Sequence, residues 1–260
     1  VEVTVPLGAI LREVQVGPGV AALLLLCISD THDLQQGMPR ELPAADILVH
    51  AGDFTCNGKR EELASFQVRN HRNLDTNRVT TSSLQEWLLG LLDSGCVRHV
   101  VLCCGNHELS FAGTAKNAAV RRAQEAMKSE LMTLHERVRG GHTSLTKPQE
   151  FLVESAADSF LSGAGASSPQ VHYLEDSGCE VMGLRFWGSP WTTVVGQSSW
   201  AFQLPDTDGP SGIGEKFASI PAEIDVLLTH MPPHGIGDGG GGRRVGSRAL
   251  RRRLDEVHPT

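Results

Sequence analysis

Short, strongly apolar segments recur along the chain, and polar residues follow each of them directly. Residues 23–29, 47–50, 99–103 and 225–229 are rich in Leu, Val and Ile. Apolar runs of about four to eight residues are typical of strands that are buried on both faces of a sheet. Because segments with helical spacing lie between several of these runs, the order of elements predicts an α/β fold.

Further elements are predicted from spacing alone. Residues 171–174 and 181–187 are predicted strands, and residues 243–256 have the composition of a surface helix with one charged face. Residues 235–244, which are mainly glycine, form a predicted flexible loop. Apolar residues three and four positions apart predict three amphipathic helices, at residues 60–68, 82–95 and 118–138.

The composition is that of a globular protein and argues against two classes of partner. Apolar residues make up 40% of the 260 residues and charged residues 20%, which is ordinary for a chain that buries a full core. The net charge of -7 argues against polymeric nucleic acid and membrane surfaces, because both favour basic proteins. Aromatic residues, at 5%, are too few for a platform that stacks single-stranded bases. The sequence leaves the oligomeric state open.

Six cysteines are scattered along the chain without a C-x-x-C pair, at positions 27, 56, 96, 103, 104 and 179. In a chain of this length, that distribution is typical of reduced thiols and predicts a cytoplasmic protein. The run "VAALLLLCIS" is far shorter than the roughly 20 apolar residues of a membrane-spanning helix. It also lacks a basic lead-in and a small-residue cleavage site, so we interpret it as a buried strand.

Side chains that bind metals collect at the ends of four predicted strands. In open α/β sheets, ligands bind outside the carboxyl ends of the strands, so these side chains are expected at one rim. The four strands supply, in order, Asp30 and His32, then Asp53, then Asn106 and His107, and finally His230.

These residue types predict a site for two divalent ions. Carboxylate, imidazole and amide oxygen suit Mn, Fe, Zn or Ni rather than ions that prefer thiolate. Asp30 and His32 are two residues apart, so in extended backbone they would point the same way and bind one ion. Asp53 would bridge to a second ion, which Asn106 and His230 would complete.

A di-metal site of this kind predicts chemistry at phosphorus. Two ions about 3.5–4 Å apart hold and polarise a phosphoryl group and lower the pKa of a bridging water to about 7. His107 is not needed as a ligand and is the predicted catalytic acid, which protonates the leaving oxygen. Asn106 and His107 are also the residues expected to contact the substrate.

Each motif also has a purely structural interpretation. Gly52-Asp53 is a frequent turn in which the Asp caps a helix, and an isolated Asp-x-His is common. Asn106-His107 would also fit a turn followed by a cap, and His230 would fit a hydrogen-bonded core histidine. The metal-site hypothesis depends on the order of the motifs and on their shared position at strand ends.

The series D-x-H, GD, GNHE and a strand-terminal His resembles the calcineurin-like metallophosphoesterases. This resemblance covers nearly the whole chain and implies one domain over residues 1–260, folded as a four-layer α/β/β/α sandwich with a di-metal centre. The segments "HAGDFTCNG", "GNHELSF", "FWGSPWTT", "WAFQLP" and "LLTHMPPHGIGD" resemble the metallophosphoesterase-domain-containing animal proteins. That branch is associated with hydrolysis of phosphodiesters, including cyclic nucleotides. By position, the resemblance implies that His107 is the catalytic acid. It implies that the metal ligands are Asp30, His32, Asp53, Asn106 and His230.

Two departures from the superfamily pattern bear on the expected substrate class and on the expected strength of metal binding. The stretch "GDFTCNGKR" lacks the arginine of the GD-x-VDRG pattern, so a phosphoprotein phosphatase is not expected. No G-H-x-H motif, which supplies one ligand to each ion, follows His230. We therefore expect a C-terminally incomplete sequence that lacks the last strands of the fold, and weak metal binding and activity for a chain that ends at Thr260.

Three residues outside the motifs are candidates for substrate contact. Arg243 follows the glycine run, and its guanidinium suits a substrate phosphate, although a solvated pair with Arg244 fits equally. Trp191 and Trp200 would form a wall for a nucleobase or, in the preferred interpretation, anchor their loop as two buried indoles.

The expected activity is metal-dependent hydrolysis of a phosphodiester of the nucleotide or cyclic-nucleotide type, by direct attack of water. One alternative is a non-catalytic or weakly active protein of the same fold that binds a nucleotide or a protein partner. Another alternative is a phosphomonoesterase that uses the same centre.

Overall fold

The computed structural model describes residues 2–4, 9–17, 21–34, 42–58, 84–109, 111, 170–194, 200–240 and 243–259. The predicted helices at residues 60–68 and 118–138 lie outside the described residues. The other predicted elements can be compared with the structure directly.

Within the described residues, the larger sheet contains six strands, which lie side by side in their order along the chain. They are β1 (Glu2–Thr4), β2 (Ile10–Val14), β3 (Leu23–Ile28), β4 (Ile47–His50), β5 (His99–Cys103) and β6 (Gln170–Leu174). The strands from β3 to β6 are parallel, whereas β1 and β2 pair antiparallel. The strands predicted at residues 47–50 and 99–103 are confirmed as β4 and β5, and every residue of both is buried.

A smaller sheet packs against the first. The chain continues through β7 (Ser177–Val181), β8 (Leu184–Ser189), β9 (Thr192–Thr193), β10 (Gln203–Leu204) and β11 (Val226–Thr229). The smaller sheet has the order β11, β8, β7, with β11 parallel and β7 antiparallel to β8. The two-residue strands β9 and β10 pair with each other.

The prediction of one strand over residues 181–187 is wrong, because a tight turn divides this segment between β7 and β8. Met182 and Gly183 both have positive φ, 52° and 82°, and Val181 pairs directly with Leu184. Two positive φ values give a two-residue loop the twist that an antiparallel hairpin requires.

Three helices occur among the described residues, α1 (Leu84–Asp93), α2 (Ile213–Ala218) and α3 (Arg248–Val257). The helix predicted at residues 82–95 is confirmed as α1. The helix predicted at residues 243–256 begins only at Arg248, because the hydroxyl of Ser247 caps it by accepting the N–H of Leu250. Ahead of α3, the segment predicted as a flexible loop contains two short strands that pair antiparallel, β12 (Gly239–Gly240) and β13 (Arg243–Arg244).

Helices cover the outer faces of both sheets, so the fold has four layers. Leu88 of α1 belongs to an apolar cluster on one face of the larger sheet. A second cluster fills the space between the sheets, where Val101 of β5 and Phe186 of β8 are buried. In a third cluster, Phe217 of α2 packs with residues of α3 and with Trp187 of the smaller sheet. The α/β/β/α sandwich is therefore confirmed.

The parallel strands β3, β4 and β5 bring their carboxyl ends to the same edge of the larger sheet, and β11 contributes the end of a neighbouring strand from the smaller one. In the part of the chain that the structure describes, none of the helices has both the length and the apolar character needed to cross a bilayer.

Candidate metal centre

The loops that follow β3, β4, β5 and β11 meet at the carboxyl ends of these strands. The backbone N–H of Asp30 donates to the carbonyl of Gly52 at 3.0 Å, and the N–H of His32 donates to the carbonyl of Asp53 at 3.0 Å. From the end of β11, Nδ1 of His230 lies 2.9 Å from the carbonyl oxygen of Ala51. Hydrogen bonds to the backbone therefore join the loops that carry the predicted ligands.

Asp53 lies at the centre of this cluster and is 3% exposed. Its Oδ2 lies 3.3 Å from Nε2 of His230, 3.8 Å from Nε2 of His32 and 3.9 Å from Nε2 of His107. Its Oδ1 accepts the backbone N–H of His107 at 2.9 Å. One carboxylate thus faces three imidazoles, which is a suitable arrangement for a ligand shared by two ions.

Among the residues that the structure describes, two sets of potential ligands share Asp53, and within each set the ligand atoms lie within 4.8 Å of one another. The sets are Asp30, Asp53 and His230, and His32, Asp53 and His107. The amide oxygen of Asn106 lies 3.2 Å from Nε2 of His230, beside the first set. Oδ1 of Asp30 lies 3.9 Å from Nε2 of His32, but the two residues fall in different sets, whereas the sequence predicted that they bind one ion. His107, predicted as the catalytic acid and as a substrate contact, occupies a position that would also suit a ligand.

The three histidines share one orientation. In each ring Nδ1 faces a backbone carbonyl, which only accepts hydrogen bonds, so Nδ1 carries the proton and Nε2 is left facing the cluster. Metal-binding histidines are commonly held in this way, and the donor set therefore fits divalent ions. The pairs are His32 with Thr55 at 3.2 Å, His107 with Cys56 at 2.6 Å, and His230 with Ala51 at 2.9 Å.

The backbone at the centre is left-handed rather than extended. Asp30, His32 and Asp53 have φ values of 54°, 43° and 54°. The expectation that Asp30 and His32 point the same way because their backbone is extended is therefore wrong. Asp and His tolerate this region better than most residues, but it still costs of order 1–3 kcal/mol at each position. Strain of this kind is concentrated at functional sites.

Glu108 also belongs to the site, although no role was predicted for it from the sequence. It is fully buried, and its two oxygens accept hydrogen bonds from the backbone N–H groups of Asp53, Thr55 and Gly105 at 2.9, 3.0 and 2.6 Å. The hydroxyl of Thr55 donates a fourth bond at 2.8 Å. The sequence signal that could have identified Glu108 is a carboxylate directly after an apolar run and the Asn-His pair. An unpaired charge at such a position is costly, so a carboxylate there is expected to have hydrogen-bond partners.

Asp53 and His230 shift each other's pKa values. Burial disfavours the charged form of His230, but its hydrogen bond with Asp53 and the charge of that carboxylate outweigh burial and raise the pKa of His230 to about 9. Burial likewise opposes ionisation of Asp53, yet the same pairing with His230 lowers the pKa of Asp53 below its usual value. Without a metal, the two groups form an ion pair at neutral pH.

Gly105 leaves room for this packing because it has no side chain. A Cβ at this position would lie 2.3 Å from Oδ1 of Asp53 and 2.8 Å from Cδ2 of His230. Both distances are too short for real contacts, so the close approach of the β4 and β5 loops requires glycine here.

Behind the centre, His50 supports the loop after β3. This residue is 1% exposed, and its Nε2 lies 3.0 Å from the hydroxyl oxygen of Thr31. Burial, followed by the charge of His230, lowers the pKa of His50 to about 3, so the ring is neutral at physiological pH.

The two tryptophans differ in their environments. Trp191 is partly buried, and its indole N–H donates to Asp176 at 2.7 Å, which agrees with an anchor of the loop. Trp200 is 40% exposed and stacks on His107, with ring centroids 4.1 Å apart and an interplanar angle of 27°. The expectation of a buried anchor is therefore wrong for Trp200. Arg243 lies on β13 opposite Gly240, and its side chain is outside the described part of the structure.

Comparison with known proteins agrees with this geometry. A sequence model of the calcineurin-like phosphoesterase family matches residues 23–258. Metallophosphoesterase domain-containing protein 1 of Homo sapiens is 30% identical over 214 residues, which are 82% of this chain and 49% of that protein. A UPF0046 protein of Caenorhabditis elegans is 27% identical over 241 residues, which are 93% of this chain and 62% of that protein. The chain spans less than two thirds of the length of either relative. Because the family match covers nearly all of the sequence, the chain belongs to the calcineurin-like phosphoesterase family.

Proposed function

We propose that this protein is a phosphodiesterase that acts on a substrate of the nucleotide or cyclic-nucleotide type, with two divalent ions as cofactors. The observation that carries the proposal is the pair of ligand sets that share the buried carboxylate of Asp53. Neighbouring cations suit a phosphodiester because they neutralise charge on the attacking, leaving and non-bridging oxygens. Mn, Fe, Zn and Ni are the candidate ions, since imidazole and oxygen donors suit them.

Asp53 would be the shared ligand, and the remaining positions would be filled by Asp30, His32, Asn106 and His230. When bound, the ions supply Lewis acidity at phosphorus and a nucleophilic water. Because the amide oxygen of Asn106 faces His230, contact with a substrate oxygen would come from its NH₂ group. Arg243 remains a proposed substrate contact on the chemistry of its guanidinium alone.

His107 would move the proton. Its Nδ1–H is fixed on the carbonyl of Cys56, so Nε2 is the atom available to hold a second proton. In the reaction, the water oxygen forms a bond to phosphorus and gives up one proton to solvent, and the bond between phosphorus and the leaving oxygen breaks. The proton on Nε2 passes to that leaving oxygen, which converts it into a neutral alcohol.

Direct attack of water is consistent with the state of the two thiols that precede the GNHE motif. Cys103 and Cys104 immediately precede the GNHE motif and are fully buried. Burial raises the pKa of both thiols far above neutrality, so neither supplies a thiolate nucleophile for a covalent intermediate.

The proposal is tested with bis-p-nitrophenyl phosphate as diester and p-nitrophenyl phosphate as monoester. We expect the diester to be hydrolysed by Mn²⁺-loaded protein, the activity to vanish on chelation, and Mn²⁺ to restore it. Asp53→Asn and Asn106→Ala should abolish turnover, whereas Glu180→Gln, at an exposed position of β7, is the matched control. A preference for the monoester would favour the phosphomonoesterase, and nucleotide binding without turnover would favour the non-catalytic alternative.

A second measurement separates the two roles that the geometry allows His107. For an acid, His107→Gln should lower turnover by about 10²–10⁴-fold while the bound-metal content is retained. Loss of one ion per chain would instead assign His107 to the ligands.

We propose that the chain forms one domain, and that the protein works in the cytoplasm. None of the six cysteines, all of which lie among the described residues, forms a disulfide, which agrees with a reducing compartment.

A further inference from the structure

Trp200 is exposed beside the candidate metal centre, although the two residues that follow it are buried. The residue is 40% exposed, whereas Ala201 and Phe202 are each 3% exposed. The backbone N–H of Ala201 donates to the carbonyl of Asn106 at 2.9 Å, which fixes this segment against the GNHE motif. Core packing therefore explains the position of the backbone but not the presence of a large, exposed indole.

Support of His107 does not explain the indole either. The imidazole is already held at Nδ1 by the carbonyl of Cys56 and at its backbone N–H by Asp53. His32 contacts the same ring edge to face, with centroids 4.5 Å apart and an angle of 72°. Trp200 adds a parallel contact at 4.1 Å to a ring whose orientation is set by other groups.

The position of the indole relative to His107 gives it access to the leaving group. A proton donor must come within about 2.6–3.2 Å of the oxygen that it protonates. The atoms bonded to that oxygen therefore lie only a few ångströms from the imidazole of His107. An indole whose centroid is 4.1 Å from the centroid of the same imidazole borders the space into which the leaving group extends.

We propose that Trp200 is a specificity-determining residue that forms one wall of the leaving-group subsite and favours phosphodiesters whose leaving group carries a flat aromatic ring. The proposal rests on the proposed function and deepens it, because it names the kind of leaving group that the site prefers. Flat rings stack on an indole face with a substantial gain in affinity, whereas a branched alkyl group of similar size does not.

The test compares two methyl phosphodiesters, one with a phenoxide leaving group and one with a fluoroalkoxide leaving group of matched acidity. We compare kcat/KM for both with wild type, Trp200→Ala and Trp200→Phe. Leu24→Ala is the control for loss of an exposed apolar side chain, since Leu24 lies near the start of β3, away from the centre. In parallel, the affinities of Mn²⁺-loaded protein for phenyl phosphate and methyl phosphate are measured by calorimetry.

We expect wild type to prefer the aryl diester and phenyl phosphate. Trp200→Ala should reduce both preferences by about 10-fold or more, the effect of losing one aromatic stack, and Trp200→Phe should retain most of them. An equal loss for aryl and alkyl compounds in Trp200→Ala, in turnover and in affinity, would overturn the proposal and reduce Trp200 to a support for His107. If neither diester is hydrolysed, the proposed function fails, and the two affinities still decide the role of Trp200.

Discussion

The backbone N–H of Asp53 donates a hydrogen bond of 2.9 Å to Oε2 of Glu108, a carboxylate that is fully buried. Because Oε2 also accepts the N–H of Gly105, one side chain joins the loop after β4 to the loop after β5. Those loops carry the candidate ligands Asp53 and Asn106, so the Glu108 carboxylate holds the two loops together. Its expected role is that of a positioning residue for the candidate centre.

Replacement of this carboxylate by an amide should disrupt the centre. In Glu108→Gln, an NH₂ group replaces one acceptor, so at least one donor among Asp53, Thr55 and Gly105 loses its partner. We expect the free energy of unfolding to fall by about 2–4 kcal/mol, the effect of one or two unsatisfied buried groups. Metal content, measured by elemental analysis, should fall as well. Retention of both stability and full metal content would show that Glu108 does not position the loops.

Gly105 supports a second prediction with an internal control. In Gly105→Ala, the new methyl group would meet Oδ1 of Asp53 at 2.3 Å, so the shared carboxylate must move. We expect metal affinity, measured by calorimetric titration, to fall about 10–100-fold, as it does when a supporting contact of a metal ligand is lost.

The same substitution at Gly90 provides the comparison. Gly90 lies within α1, and nothing lies within 4 Å of a Cβ added there. Gly90→Ala should therefore stabilise the protein by about 0.5–1 kcal/mol, because alanine favours helix, and leave metal affinity unchanged. Equal metal affinities in the two variants would contradict the tight packing at Gly105.

The strands that support the centre could be predicted because they are buried on both faces. A buried parallel strand is a continuous apolar run, and β4 and β5 match such runs residue for residue. β2 and β7 were not predicted, since their sequences, "ILREV" and "SGCEV", are short and partly polar, as strands near a sheet edge often are. The turn at Met182-Gly183 lacks the Asn-Gly or Asp-Gly pair that marks most such turns, so the predicted strand ran from Val181 through the turn into β8.

The types of residue at the centre were predictable, but their mutual contacts were not. Strand ends placed Asp53, Asn106 and His230 at one rim, because parallel strands share a carboxyl edge. The sharing of Asp53 between two ligand sets depends on distances between different loops, and these distances are set only when the chain has folded. The left-handed backbone of Asp30 and the exposure of Trp200 also depend on tertiary structure, since neither follows from a local sequence pattern.

The ion pair of His230 and Asp53 predicts that metal binding releases a proton. The pKa of His230 is about 9 in the metal-free protein, so its ring is charged at pH 7 and must lose a proton before Nε2 can bind an ion. At about pH 7 we expect about one proton released per chain on Mn²⁺ binding, seen by calorimetry in buffers with different ionisation enthalpies. Affinity should rise about tenfold per pH unit and level off above pH 9. A binding heat at pH 7 that does not depend on the buffer would contradict this.

His50 predicts the direction in which acid destabilises the fold. Its pKa is lowered from 6.5 to about 3 by burial and then by the charge of His230, so the folded protein keeps the ring neutral where the unfolded chain takes up a proton. The contribution of neutral His50 to stability is therefore complete above pH 6.5 and is lost as the pH falls toward 3. The loss should approach about 1.4 kcal/mol per pH unit.

The measurement is urea unfolding of the metal-free protein from about pH 7.5 to about pH 4.5, for wild type and for His50→Gln. Glutamine keeps a hydrogen bond to Thr31 within reach but does not titrate, so the variant should lose less stability in acid than wild type. At neutral pH, the variant should be less stable because glutamine packs poorly against Phe54, whose ring meets that of His50 edge to face at 5.7 Å. The two unfolding free energies should thus converge as the pH falls, and parallel curves would rule out a neutral, buried His50.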